Sequence, residues 1–180
     1  MKPLACLLAL IAAPLRAETC PAAPDIRVEE AQIFAQIQTA PDEAMARGYT
    51  NALWALWTKA PDQAAQEVLD DGMTRRSSYD FLAAEAAFSR LIAYCPEYAE
   101  GYNQRAFVRF LREEHAAALP DLDRALSINP NHVAALAGKA MTLMALGRED
   151  EAQEVLRMAL KLHPWLPERA FLRKVPGTDL

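Results

Sequence analysis

From Ala99 to Pro164 the apolar positions repeat. Sliding the chain by 34 residues lays Tyr102 on Leu136, Ala106 on Ala140, Ala118 on Ala152, Leu122 on Leu156, Ala125 on Ala159 and Pro130 on Pro164. Within each copy the packing residues recur at spacings of three and four, which predicts two amphipathic helices per repeat. A fixed period of this length marks a stacked helical array.

Other segments carry the same helical spacing less regularly. Residues 62–98 form a weaker copy, with Gly72 at the small position, Ala84 and Phe88 on its second helix and Pro96 closing it. Ahead of it, Asp25 to Thr39 and Asp42 to Thr58 each carry one apolar stripe, which predicts a helical hairpin that packs on the array and shields its first edge. The tripeptide Ala-Pro-Asp recurs at Ala23, Ala40 and Ala60, each time before an amphipathic stretch. Proline tolerates the first helical turn and Asp accepts from its free N–H groups, so these tripeptides predict helix starts. After Pro164, Trp165, Leu166, Ala170, Phe171 and Leu172 predict a short closing helix. The expected organisation is residues 1–17 as a leader, 18–61 as N-terminal segment and hairpin, 62–98, 99–132 and 133–164 as repeats, and 165–180 as cap and tail.

Three positions break the pattern. Pro120 falls within the second helix of its repeat, which predicts a late start or a kink there. Glu113 stands where the next copy has Gly147, at a turn that favours a left-handed residue. Arg75 replaces a large apolar residue; Arg75 and Arg76 read as solvated turn residues, with a small anionic contact as the alternative.

Composition adds a compartment. Lys2, the apolar run Leu4 to Ala13 and the small residue Ala17 before "ETCP" read as a secretory leader, too short to span a bilayer. Without it the chain keeps 17 basic against 24 acidic residues, a net charge of −7, which disfavours nucleic acid and anionic lipid as partners. Cys20 and Cys95 then remain, either as a disulfide, favoured by export, or as two unpaired thiols. His115, His132 and His163 lack second ligands at helical spacing, so no metal site is expected; His132 and His163 read as capping or surface residues. There is no phosphate loop and no nucleophile motif, so neither catalytic residues nor a cofactor are expected. Trp54 and Trp57 on their helical stripe read as packing residues, with an aromatic ligand platform as the alternative.

The stretches "GYNQRAFVRFLREEHAAALPDLDRALSINP" and "ALAGKAMTLMALGREDEAQEVLRMALKLHP" resemble tetratricopeptide repeats, in which large, small and large residues on one helix precede Ala, large, Ala and Pro on the next. The resemblance implies an all-α, right-handed solenoid of about three helical hairpins, flanked here by the N-terminal hairpin and the C-terminal cap. It also implies a non-enzymatic scaffold whose inner helices line a concave groove for another protein or peptide. Mapped onto this chain, the groove comprises Asn103, Phe107, Phe110 and Leu111 in one repeat and Ala137, Met141 and Met144 in the next, flanked by Glu100, Ala134 and Ala145. It is mostly apolar, which favours an apolar or helical peptide over capture of a C-terminal carboxylate. Either the groove is open, or the chain's own hairpin or tail fills it. "YNQRA" with "DLDRAL" resembles a bacterial variant of the repeat in which an inward Arg meets an acid, so Arg105 and Asp121 are expected to form a structural ion pair. A periplasmic location fits the leader. The alternative roles are a structural or assembly subunit of an envelope complex, or a chaperone for apo-cytochrome assembly.

Overall fold

A computed structural model describes residues 19–173, so the leader-like residues 1–17 and the last part of the tail lie outside the described residues. Eight α-helices follow one another: α1 (Arg27–Gln38), α2 (Glu43–Trp57), α3 (Gln63–Ser77), α4 (Phe81–Tyr94), α5 (Ala99–Leu111), α6 (His115–Ile128), α7 (Val133–Ala145) and α8 (Glu149–Leu162). A 3-10 helix, Pro167–Phe171, closes the described chain. Helices α3 to α8 pair as three antiparallel hairpins, each packed on the next, and α5 touches both α3 and α7 along one side. This is the solenoid of helical hairpins that the period predicts.

The helix starts follow the capping chemistry. Asp42 accepts from the Met45 N–H at 2.9 Å and Asp62 from the Ala65 N–H at 2.8 Å. The first Ala-Pro-Asp behaves differently: Asp25 turns to Arg27, accepting from its backbone N–H and holding its guanidinium at 2.6 Å, and the helix begins without a side-chain cap. Arg27 holds the Asp25 carboxyl down to about 2.

Each repeat turns through the same backbone joint. Tyr79, Glu113 and Gly147 lie 34 residues apart and all have positive φ, at 63°, 62° and 72°. In each case the next residue's N–H bonds back across the turn, Asp80 to the Arg75 carbonyl, Glu114 to Arg109 and Arg148 to Leu143. This pattern satisfies carbonyls that the helix end leaves free. Only Gly147 adopts the conformation without a steric cost.

At Pro120 the helix does not start late, one of the two outcomes expected there. Helix α6 starts at His115, five residues before the proline, and runs on to Ile128. Arg109 Nη1 donates to the Ala117 carbonyl in the turn ahead of the ring.

The hairpin corrects an expectation. Helices α1 and α2 do not shield the first edge of the array; they lie across the inner side of its last repeat. Phe34, Ile37, Leu53 and Trp57 form one core with Val133, Leu136, Ala137, Ala159 and Leu166. The apolar stripes of the hairpin find their complement there, where α7 offers Val133, Leu136 and Ala137. Polar contacts fix the seat: Gln38 Nε2 donates to the Lys161 carbonyl at 2.9 Å, and Arg169 meets Glu43 at 3.0 Å. At the other end of the hairpin Cys20 is bonded to Cys95 at the end of α4, with Cα atoms 5.2 Å apart. The N-terminal segment thus joins the first repeat to the last.

Candidate functional site

Helix α2 roofs the groove without filling it. Between α2, the inner helices α3, α5 and α7 and the 3-10 helix lies a cavity of about 710 Å³. Its walls include Asn103, Phe107, Phe110, Ala137 and Met141 of the expected groove. Leu111 and Met144, in the last turns of their helices, fall outside it. Phe107 is 46% exposed, the most accessible aromatic of the cavity wall.

Several wall residues were not legible as such in the sequence. Trp54 and Trp57 belong to it as well as to the core, edge to face with ring centroids 5.5 Å apart. Arg76 also lines it, whereas Arg75 is a solvated turn residue paired with Asp71 at 2.8 Å. The Arg76 guanidinium lies 5.2 Å from the Phe107 ring centroid and donates to Gln104 Oε1. Burial lowers its affinity for the proton, which the Glu100 carboxylate partly restores. Arg76 occupies the register of Phe110 and Met144, one and two periods on, so the repeat itself carried the signal for its inward position.

A buried polar chain runs from the roof to this arginine. Glu30, 2% exposed, accepts from Trp57 Nε1 at 2.7 Å and from Asn129 Nδ2 at 2.8 Å. The Trp57 ring stacks on His132 with centroids 4.2 Å apart. His132 is fully buried rather than at the surface; its Nδ1 accepts from the Ala135 N–H, which caps α7, so Nε2 carries the proton and donates to Glu100 Oε2 at 2.8 Å. Glu100 also accepts from Asn103 Nδ2 at 3.1 Å and from the amide of Gln104, whose oxygen receives Arg76. Every buried member thus has a partner, as buried polar groups require. Asn103 therefore lines the cavity, whereas Glu100 lies outside its wall, and the Asn103 amide is spent on the Glu100 carboxylate.

The other singled-out pair lies behind the groove. Arg105 donates through Nε and Nη2 to Asp121 at 2.8 and 2.6 Å, a two-point contact between α5 and α6. Asp121 also receives Arg109 at 3.0 Å, and Arg105 reaches Ser89 of the preceding repeat at 3.1 Å. Arg109 and Arg112 share Glu85 of α4. These contacts fasten the second repeat to the first and leave no charge for a ligand. His163 is buried too, with Nε2 2.7 Å from Thr50 Oγ1 on the roof. Among the described residues no group of His, Cys, Asp and Glu is placed to hold a metal ion.

This architecture has counterparts of known family. A family model described as tetratricopeptide repeat matches residues 110–165. Tetratricopeptide repeat protein 36 of Xenopus tropicalis is 33% identical over 106 residues, which cover 56% of this chain and 52% of that protein. A TPR repeat-containing protein of Rhizobium etli is 25% identical over 140 residues, 74% of this chain and 65% of its own length. The chain is thus similar to tetratricopeptide-repeat proteins over its later repeats and shares their fold. It spans about half to two-thirds of the length of these relatives. Among solved tetratricopeptide structures, the TPR2B domain of yeast Sti1 in complex with an Hsp70 peptide superimposes with a TM-score of 0.55 at 28% identity, covering 56% of this chain and 81% of that one. The MamA protein shares the fold over 84% of this chain and 83% of its own, with a TM-score of 0.52 and 20% identity.

Proposed function

We propose that this protein is a non-catalytic tetratricopeptide scaffold of the periplasm that holds a polypeptide segment in the roofed part of its groove. One observation carries the reading: an apolar cavity of about 710 Å³ remains on the inner face after the hairpin has seated, with Phe107 half-open to solvent beside it. Cavities of this size, apolar with a few placed polar groups, are where ligands bind. The similar Sti1 domain is known with a peptide bound, which supports a peptide as the class of occupant. Export is supported by the leader-like start of the sequence and by a disulfide, a bond favoured in oxidising compartments. Among the described residues no helix is long and apolar enough to cross a membrane.

A photo-crosslinking residue at Phe110, introduced in cells, tests the groove. Capture of a protein there and not from Met158, which is exposed on the outer helix α8, supports the reading. Capture from Met158 alone overturns it in favour of an assembly role for the outer face. N-terminal sequencing of the protein from the periplasmic fraction is expected to begin at Glu18.

A further inference from the structure

Two residues of opposite charge line the cavity from opposite ends of the stack of elements that form it. At one end stands Arg76, from the first inner helix; among the described residues its guanidinium has no carboxylate partner, only the Gln104 amide and the Phe107 face. Its nearest acid, Glu100, is already engaged by His132, Asn103 and Gln104. At the other end stands Glu168, from the 3-10 helix that follows the last repeat; its Oε2 is buried and accepts no hydrogen bond. An unpaired cation and an unsatisfied carboxylate oxygen each carry a free-energy cost that a complementary group from outside removes. The rest of the wall is mostly apolar and includes Phe107, Phe110, Met141 and Trp54.

We infer that the occupant is a peptide segment with an acidic residue at one end, a basic residue at the other and apolar residues between, its acid on Arg76 and its base on Glu168. This assignment rests on the groove reading and adds the charge order of the ligand to it. The chemistry follows from donor inventory. A guanidinium over an aromatic face presents its remaining N–H groups to a carboxylate, and the free Glu168 oxygen accepts from an ammonium or guanidinium. A purely apolar segment would bury both groups unpaired, so the site selects against it.

The test uses the full mature protein and labelled synthetic peptides that share an apolar centre. One set has Glu before and Lys after it, one the reverse order, and one Gln at both ends, each with spacers of several lengths. The expected result is that one charged order binds about tenfold or more tighter than the Gln peptides. In Arg76→Gln and Glu168→Gln that advantage is expected to shrink at each step. In the double variant Arg76→Glu with Glu168→Lys the preferred order is expected to invert. Glu168→Gln keeps the size of the side chain and Arg76→Gln keeps an N–H donor at the cavity wall, so a folded far-ultraviolet spectrum is expected for both. Equal binding of charged and Gln peptides, or a preference that both Gln variants leave intact, overturns the charge assignment. If that occurs while the crosslinker at Phe110 still captures a protein, the groove reading stands without it; if the crosslinker also captures nothing, both fall.

Discussion

Gly72 on α3 faces the ring of Phe88 on α4, and a Cβ built at Gly72 would overlap that ring. One and two periods on, the same two positions hold Ala106 with Leu122 and Ala140 with Leu156. The first repeat therefore exchanges a methyl group on one helix for a larger side chain on the other. Gly72→Ala is expected to destabilise the fold by about 1–3 kcal/mol through overpacking of a fully buried ring. Phe88→Leu alone leaves a void and destabilises as well. Combined, they recreate the pair of the later repeats, so urea denaturation of the double variant is expected to show less than the sum of the two losses.

Cys20 and Cys95 close a loop of 75 residues that contains the hairpin. Chain entropy assigns such a bridge about 4 kcal/mol. Cys20→Ser is expected to lower stability by about 2–4 kcal/mol in urea, and a reductant is expected to do the same to the parent and nothing to the variant.

Protonation of His163 opposes the seating of the roof. Thr50 Oγ1 donates to the Ala46 carbonyl, so it receives the Nε2 proton of His163, and Nδ1 is left buried without a partner. Burial, with Arg169 nearby, holds the imidazole below its ordinary value. The unfolded chain therefore binds the proton first as pH falls. Stability from this group is complete above about pH 6.5 and is lost below it, down through the depressed value of the folded state. His163→Gln is expected to flatten the dependence of the thermal midpoint between about pH 7 and about pH 5.

Asp121 pairs with both Arg105 and Arg109 from a site where its own side chain is 7% exposed. The Asp121 hydrogen bond is the largest of the effects that raise the proton affinity of Arg105. Asp121→Asn is expected to cost about 2–4 kcal/mol, below the range for fully buried pairs because the arginines reach solvent. Thermal denaturation with and without salt checks this, since a loss confined to low salt would mark the pair as a surface contact.

How far the sequence could be read depended on whether a residue belonged to the period. Residues inside it, such as Ala106, Leu122 and Pro130, declared both helix and face, and the groove positions Asn103, Phe107 and Phe110 followed from the same register. Arg76 had the register too, but its charge pointed to solvent, and only packing against Phe107 and Gln104 shows why a cation is tolerated there. Residues outside the period carried no such address. The seat of the hairpin depends on which apolar surface fits Phe34, Ile37 and Trp57 best, a tertiary question that helical spacing does not encode. The pairings of Glu30 with Asn129 and of His132 with Glu100 likewise join separate elements, and neither spacing is a multiple of the repeat.

A linear stack of hairpins loses its terminal units first, because each unit is held by neighbours alone. Here the bond between Gln38 and the Lys161 carbonyl and the bridge at Cys95 fasten the beginning of the chain to both extremities of the stack. Among the described residues neither terminal repeat is left free to fray, and the three repeats are expected to melt as one cooperative body, like a belt that must be unbuckled before any link can part.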